Sequence, residues 1–235
     1  MRKLYEKDEV LFAVLWIVLY CVIVGTVRGN FGDESPVEMA VLFAFAAGIT
    51  FFVKQNHLEE KYGLAGWPKS WKRYLFFIPM WILATGNIWD GIAPSFRGSA
   101  LVFAMVSMAL VGFVEEMIFR GFLFKVMLTK NKPAVAVSVS ALTFGIGHII
   151  NLFTGQASLE TGVQIVWAVV WGLVFTMVVY RSGSIIPCII AHSMIDVFSV
   201  LSTDNKTADW IYVGAVIVVG TIFSIYLIRL KGSNE

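Results

Sequence analysis

Long apolar runs separated by short polar stretches dominate the chain. Marking these runs by hydropathy, and breaking them at Gly, Pro and charged residues, predicts eight candidate membrane-spanning helices. They lie near residues 10–27, 37–54, 74–89, 99–124, 133–152, 162–180, 183–201 and 210–228. Several runs approach or exceed the roughly 20 residues that a helix needs to cross a bilayer, and the alternation expected of transmembrane β-strands is absent. The pattern therefore predicts an all-α, polytopic membrane protein.

The composition favours one membrane domain over residues 1–235. Hydrophobic residues make up 58% of the chain and charged residues 14%, which is far from the balance of a soluble domain. The sequence contains no recognisable internal repeat, low-complexity tract or soluble domain. We therefore expect a single integral membrane domain that contacts the lipid bilayer.

The basic residues are distributed unequally between the two sides of the predicted membrane. When alternate loops are assigned to opposite sides, fourteen Lys and Arg residues fall on one side and three, Arg28, Arg97 and Lys206, on the other. By the positive-inside rule the basic side is cytoplasmic, so both termini are predicted to lie on the cytoplasmic side of a plasma membrane. Topology explains these residues, and the net charge of +2 therefore does not indicate a nucleic-acid partner.

Several polar residues fall inside predicted spans, where a charged side chain costs about 2.5–3.5 kcal/mol on insertion scales. They come from the fourth, fifth and seventh predicted spans and are Glu115, Glu116, Arg120, His148, Asn151, His192 and Asp196. Taken singly, each has a structural explanation, such as a satisfied buried histidine or an ion pair that clamps a helix. Because three separate helices carry such residues, we predict a functional polar site inside the bundle.

Helical spacing separates the roles of the two adjacent glutamates. Glu116 and Arg120 stand four residues apart with the acid first, which is the favourable order for an ion pair. Adjacent residues point about 100° apart on a helix, so Glu115 lies on a different face and needs a partner from another helix. A desolvated carboxylate of this kind is a candidate general base.

Two further spans each bring a histidine to the predicted site. In FGIGH, Phe144 and His148 share one helix face, and the two glycines between them allow close approach by a neighbouring helix. In AHSMID, His192 and Asp196 stand four residues apart, so the carboxylate either fixes the imidazole tautomer or meets a common ligand with it. Together with Glu115, the two histidines can activate a water molecule, either directly or on a metal.

Three short motifs occur in order along the chain: EEMIFR at 115–120, FGIGH at 144–148 and HSMID at 192–196. They resemble the Glu-Glu-x-x-x-Arg, Phe-x-x-x-His and His-x-x-x-Asn/Asp motifs of the CAAX-protease and bacteriocin-processing (CPBP, Abi) intramembrane endopeptidases, which include the type II CAAX prenyl endopeptidases. One motif alone has little specificity, but three in order within predicted helices are specific. The resemblance covers about residues 100–200.

The resemblance implies hydrolysis of a peptide bond in a membrane-embedded cavity that opens to the cytoplasm. By this resemblance, Glu115 would be the general base and His148 would assist it in activating the attacking water. Glu116 and Arg120 would organise the site. Phe144 of the second motif would contribute to substrate binding.

The same resemblance implies that His192 and residue 196 bind the developing oxyanion. The prenyl-protein enzymes have Asn at the last position of this motif, whereas the present chain has Asp196. An ionised Asp cannot donate a hydrogen bond to an oxyanion, so it would have to be protonated, orient His192 or help to hold a metal. Asn151 is a candidate substitute donor.

Two kinds of water activation remain open at this stage. The HExxH motif of many zinc proteases is absent, and Glu115 with His148 could activate the water without a metal. The alternative is a divalent metal such as zinc, with candidate ligands that are Glu115, His148, His192 and Asp196. We favour metal-independent glutamate catalysis.

We expect the protein to be bacterial. Bacteria generally lack prenylated CAAX proteins, so we expect a bacteriocin or pheromone precursor, or a membrane-protein segment, as the substrate. Two other classes are considered. The first is a non-catalytic membrane protein that acts as an immunity or regulatory partner. The second is a proton- or metal-coupled transporter with the same Glu and His residues as a relay, although the sequence shows no inverted repeat.

Overall fold

The computed structural model describes residues 1–68, 77–154 and 158–230, and within these ranges the chain is helical and contains no strand. Eleven α-helices are described: α1 (Arg2–Lys7), α2 (Glu9–Phe31), α3 (Pro36–Gln55), α4 (Ile78–Ala84), α5 (Gly98–Glu116), α6 (Phe124–Lys130), α7 (Pro133–Gly147), α8 (Ser158–Ser182), α9 (Ile186–Leu201), α10 (Lys206–Ala215) and α11 (Thr221–Arg229). A π-helical segment, Met117–Leu123, joins α5 to α6, and another, Val216–Gly220, joins α10 to α11. Short 3₁₀ segments follow α4 and α7, at Gly86–Ile88 and His148–Thr154.

Six helical stretches of the described residues are long and apolar enough to cross a membrane. They are Glu9–Phe31, Pro36–Gln55, Gly98–Lys130, Pro133–Leu152, Ser158–Ser182 and Lys206–Arg229. The apolar helix α9 has 16 residues and is shorter than these. The prediction of an all-α, polytopic membrane protein is confirmed, whereas the predicted number of eight spans is not.

The difference arises mainly at the predicted third span, residues 74–89. Residues 74–76 lie outside the described part of the chain, and α4 has only seven residues. The helix ends at Ala84, and at Gly86, in the 3₁₀ segment that follows, a Cβ atom would overlap the ring of Tyr212. The apolar run therefore continues past the end of α4, and the residues that follow pack closely against α10 at Gly86.

Close contacts between α5 and α9 bring the first and third motifs together. A Cβ atom at Gly112 would collide with the backbone of Ser193, and the Ser193 hydroxyl donates a hydrogen bond of 2.9 Å to the Ala109 carbonyl. Small residues permit such approach between membrane helices. Gly145 of the second motif lies against Ile165 and Val169 of α8 in the same way, as predicted, whereas no atom lies within 4 Å of a Cβ added at Gly147, for which the prediction was wrong.

An aromatic cluster closes one end of the bundle, and we call it the aromatic floor. It consists of Phe12, Trp16, Phe52, Tyr62 and Phe122, all of them buried. The ring centroid of Phe122 lies 5.1 Å from those of both Phe12 and Tyr62, in edge-to-face geometry. Such contacts add about 0.5–1.5 kcal/mol per pair to the burial of the rings. Side chains from α2, α3, the α3–α4 loop and the π-helical segment therefore pack solidly at this level.

Candidate functional site

Glu116 links the first motif to the third. Its Oε1 accepts a hydrogen bond of 2.8 Å from Arg120 Nη1 and another of 2.8 Å from His192 Nδ1. The side chains of Glu116 and Arg120 are completely buried and that of His192 is 7% exposed. Because a carboxylate only accepts, the Nδ1 atom of His192 carries the proton. The ion pair that the helical spacing predicted between Glu116 and Arg120 is present.

The other ring nitrogen of His192 faces two further carboxylates. Its Nε2 lies 3.6 Å from Glu115 Oε2 and 3.5 Å from Asp196 Oδ2. These separations are longer than a good hydrogen bond, so neither carboxylate fixes the ring through a short contact. Asp196 was predicted either to fix the tautomer of His192 or to meet a common ligand with it. In the structure Glu116, not Asp196, fixes the tautomer. Meeting a common ligand with His192 fits the geometry.

Glu115 finds its partner on α2. The hydroxyl of Tyr20 donates a hydrogen bond of 2.7 Å to Glu115 Oε1, and Tyr20 is 6% exposed. The spacing argument predicted a partner from another helix but did not identify it. A phenol in a long apolar run costs little at membrane depth, so nothing in the sequence distinguished Tyr20 from a packing residue.

His148 lies at the end of α7, where the α-helix gives way to a 3₁₀ turn. Its Nδ1 is 3.2 Å from the carbonyl oxygen of Phe144. A carbonyl only accepts, so this contact places the proton on Nδ1 and leaves Nε2 as an acceptor. The imidazole therefore has the tautomer that can receive a hydrogen bond from a water or a substrate.

The ring of Phe144 lies between Arg120 and the two histidines of the site. The guanidinium carbon of Arg120 lies 4.2 Å from the centroid of this ring, a cation–π contact that is strongest when desolvated. The same ring packs edge-on against the imidazoles of His148 and His192, with centroid separations of 5.4 and 5.6 Å. One aromatic side chain thus contacts members of all three motifs.

The carboxylates and histidines line one cavity of about 350 Å³. Four predicted site residues with ionisable side chains contribute to its wall: Glu115, His148, His192 and Asp196. Phe144 and Asn151 also line it. Glu116 and Arg120 do not line it, and they lie behind His192 and Phe144.

Sequence reasoning missed several residues of this wall. They come from helices outside the three motifs and include Tyr20, Arg28, Asn87, Gln164 and Trp167. Asn151 donates a hydrogen bond of 2.8 Å to Gln164 Oε1, so its amide is engaged by α8. Only contacts between helices reveal these residues, because none of them belongs to a recognisable motif.

The first motif sits on irregular backbone. The segment Met117–Leu123 is π-helical and all seven of its residues, including Arg120, are buried. A π-helical segment widens the helix and changes the direction of the side chains that follow, and such segments are frequent at functional sites. Within this segment Arg120 pairs with Glu116, and Phe122 reaches the aromatic floor.

Several buried polar atoms of the site have no hydrogen-bond partner within the described protein. They are Glu116 Oε2, Arg120 Nε, Arg120 Nη2 and Asp196 Oδ2. Buried polar groups normally require partners. Of these four atoms, only Asp196 Oδ2 belongs to a residue of the cavity wall, so it is the one that can meet a polar ligand or water there. Across residues 1–68, 77–154 and 158–230, no three His, Cys, Asp and Glu side chains form a group arranged to hold a metal ion.

The fold and the buried cluster define an integral membrane protein with a polar centre inside its helical bundle. Residues 97–198 match the family model described as type II CAAX prenyl endopeptidase Rce1-like. The matched segment contains all three motifs and nearly coincides with the region 100–200, so the resemblance to CAAX-type proteases is confirmed. No curated protein matches the chain in sequence.

Proposed function

We propose that the protein is an intramembrane endopeptidase in which Glu115 activates water to hydrolyse a peptide bond. The observation that carries this proposal is the Glu115 carboxylate itself: one oxygen is held by Tyr20, and the other faces His192 in a cavity that His148 also lines. A general base needs a fixed position and access to the reacting water. The Rce1-like match supports the same class of reaction.

In the proposed reaction, Glu115 Oε2 removes a proton from a water molecule whose oxygen attacks the peptide carbonyl carbon. His148 Nε2 accepts a hydrogen bond from the same water. The carbonyl π bond opens to give a tetrahedral oxyanion. Glu115 then delivers its proton to the amide nitrogen, and the C–N bond breaks to release an amine and a carboxylic acid.

The oxyanion is stabilised by His192. With a proton on Nε2 as well as Nδ1, the imidazole donates from Nε2 to the oxyanion, and Glu116 supports the ring through Nδ1. Asp196 lies 3.5 Å from the same Nε2 and stabilises the protonated ring by charge attraction rather than through a short hydrogen bond. Glu116, Arg120 and Asp196 are positioning residues in this scheme. His192 therefore donates the hydrogen bond to the oxyanion alone, because Asp196 occupies the position at which an asparagine amide would also donate.

The proposed substrate is a membrane-associated peptide or a segment of a membrane protein, such as a bacteriocin or pheromone precursor. A substrate of this kind reaches the site from the bilayer or its surface. The 350 Å³ cavity accommodates a short extended stretch around the scissile bond rather than a folded domain.

The test is cleavage of candidate precursors by the purified protein in detergent. Glu115→Ala and His148→Ala should abolish or strongly reduce cleavage, while Glu60→Ala, at an exposed position outside the cavity, should retain it. Wild-type cleavage by both site variants would refute the mechanism. A cellular phenotype that persists in a Glu115→Ala strain would instead favour the non-catalytic regulatory class.

A further inference from the structure

The two ends of the helical bundle differ in their contacts with the cavity. At one end, which we call the cavity end, the loop after α4 hydrogen-bonds to the end of α9: Ala93 N donates to Leu201 O at 2.9 Å, and Ser95 N donates to Val200 O at 3.2 Å. Asp90 accepts there from Thr203 and Asn205. The α2–α3 turn belongs to this end because Arg28 and Asp33 line the same cavity as Asn87 and Ser199.

The cavity opens toward this end. Its wall includes Arg28 and Asp33 of the α2–α3 turn region, Asn87 of the loop after α4, and Ser199 near the end of α9. Ser199 is exposed, and the side chains of Arg28 and Asp33 are 33% and 38% exposed while they form an ion pair of 2.9 Å. His192 lies nine residues before Leu201, about 14 Å along a helix. The reactive groups therefore lie well below an accessible mouth.

At the opposite end, which we call the basic end, the described residues are joined by hydrogen bonds and an ion pair. Lys61 bonds to Glu9 at the start of α2, and Ile185 N donates to Gly63 O at 3.0 Å. Arg181, at the end of α8, donates to the Leu227 and Ile228 carbonyls of α11. The aromatic floor lies between this end and the cavity, because Trp16 stands one turn from Tyr20 on the side of Glu9.

The described basic residues are concentrated at the basic end. Ten lie in the helix ends and loops there: Arg2, Lys3, Lys7, Lys54, Lys61, Lys125, Lys130, Lys132, Arg181 and Arg229. The cavity end has three, Arg28, Arg97 and Lys206. Lys and Arg in short loops are enriched on the cytoplasmic side of membrane proteins. The charge distribution therefore assigns the basic end to the cytoplasm.

We infer that the cavity opens to the non-cytoplasmic side of the membrane, so the substrate is a peptide segment at the outer surface or the outward-facing end of a membrane span. The family resemblance implies a cavity that opens to the cytoplasm, and the charge distribution predicts cytoplasmic termini. In this fold both cannot be true, because the termini lie at the basic end and the cavity opens at the opposite end. The charge rule decides between them, since it acts on this chain's own loops. The inference about the substrate rests on the proposed function, whereas the direction of the opening does not.

The direction of the opening is tested by labelling single cysteines in intact protoplasts with a membrane-impermeant maleimide. In a background carrying Cys21→Ala and Cys188→Ala, Asp204→Cys and Ser199→Cys report on the cavity end. Glu60→Cys is the matched control, because it is exposed at the basic end. We expect the first two to be labelled in intact protoplasts and Glu60→Cys to be labelled only after lysis. The reverse pattern, or labelling of all three before lysis, would overturn the inference.

A second measurement does not depend on the cysteine variants. A reporter that fluoresces only in the cytoplasm, fused after Glu235 of the otherwise unchanged chain, should be fluorescent, because α11 ends at the basic end. A dark but intact fusion would contradict the assignment. Labelling and fluorescence require no catalysis, so both should be the same in a Glu115→Gln background. A failure of the proposed chemistry is thereby distinguished from a failure of the proposed orientation.

Discussion

Tyr20 on α2 donates a 2.7 Å hydrogen bond to Glu115 on α5, and this contact ties the first span to the motif-bearing helices. The phenol occupies one carboxylate oxygen and leaves the other facing His192. A side chain from outside the three motifs thus fixes the orientation of the proposed base. The first span contributes to the site as well as to the bundle.

Replacement of Tyr20 by Phe removes this hydrogen bond while it preserves the ring. Because a hydrogen bond to a charged group contributes about 1.5–3 kcal/mol, we expect kcat to fall about 10- to 100-fold. KM should change little, since Tyr20 orients the base rather than the substrate. Steady-state kinetics on a cleaved precursor measures both. Tyr226→Phe, on the exposed surface of α11, is the control, and an unchanged kcat in Tyr20→Phe would contradict the role.

Removal of one partner of the Glu116–Arg120 pair should destabilise the bundle. Either Glu116→Gln or Arg120→Met leaves a polar or charged group in a fully buried position, a change that costs about 3–5 kcal/mol for buried pairs. Thermal unfolding in detergent measures the loss. The double variant should lose less than the sum of the single variants, and strict additivity would show that the two side chains do not interact.

Gly112 tests the close approach of α5 and α9. In Gly112→Ala the added Cβ meets the Ser193 backbone, so the helices must separate, at about 1–3 kcal/mol for overpacking. We expect lower thermal stability together with lower kcat, because the separation also moves Glu115 away from His192. Gly214→Ala is the matched control, since no atom lies within 4 Å of the added Cβ there. Equal effects of the two substitutions would argue against a tight α5–α9 contact.

The hydrogen bonds of Lys61 lead us to expect a loss of stability at alkaline pH. Burial alone would lower the pKa of its ammonium group, but hydrogen bonds to Glu9 and Tyr5 outweigh burial and raise that pKa above 10.5. A group with a raised pKa in the folded state stabilises fully below its unfolded pKa and loses this contribution as the pH rises through the folded value. The unfolding temperature should therefore decline above about pH 10.5, and less steeply in Lys61→Met. Parallel profiles for both proteins would contradict the linkage.

The sequence predicted the helical class and the pairing within motifs because both depend on local periodicity. Glu116 and Arg120 form the expected pair, and Phe144 and His148 share a face, since residues four apart on a helix are neighbours. The third predicted span failed for a different reason. Hydropathy records how apolar a run is, but it does not indicate that α4 ends at Ala84 or that Gly86 packs against the ring of Tyr212.

The spacing of residues along the chain does not predict which helices contact each other. Nothing local to Tyr20 or Arg28 indicates that either lines the same cavity as Glu115. The hydrogen bond that His192 forms with Glu116, rather than with Asp196 of its own helix, likewise depends on the packing of α5 against α9. These features follow from tertiary geometry, which a single sequence does not encode in its spacing.

The most direct test of the central claim is the rate of the chemical step in a Glu115→Gln variant. Gln keeps the shape and can still accept from Tyr20, but it cannot remove a proton from water. Under single-turnover conditions on a cleaved precursor, Glu115→Gln should be slower than wild type by at least about 100-fold, the lower range for general base catalysis. Glu60→Gln should match wild type. A Glu115→Gln rate within a few-fold of wild type would contradict Glu115 as the base.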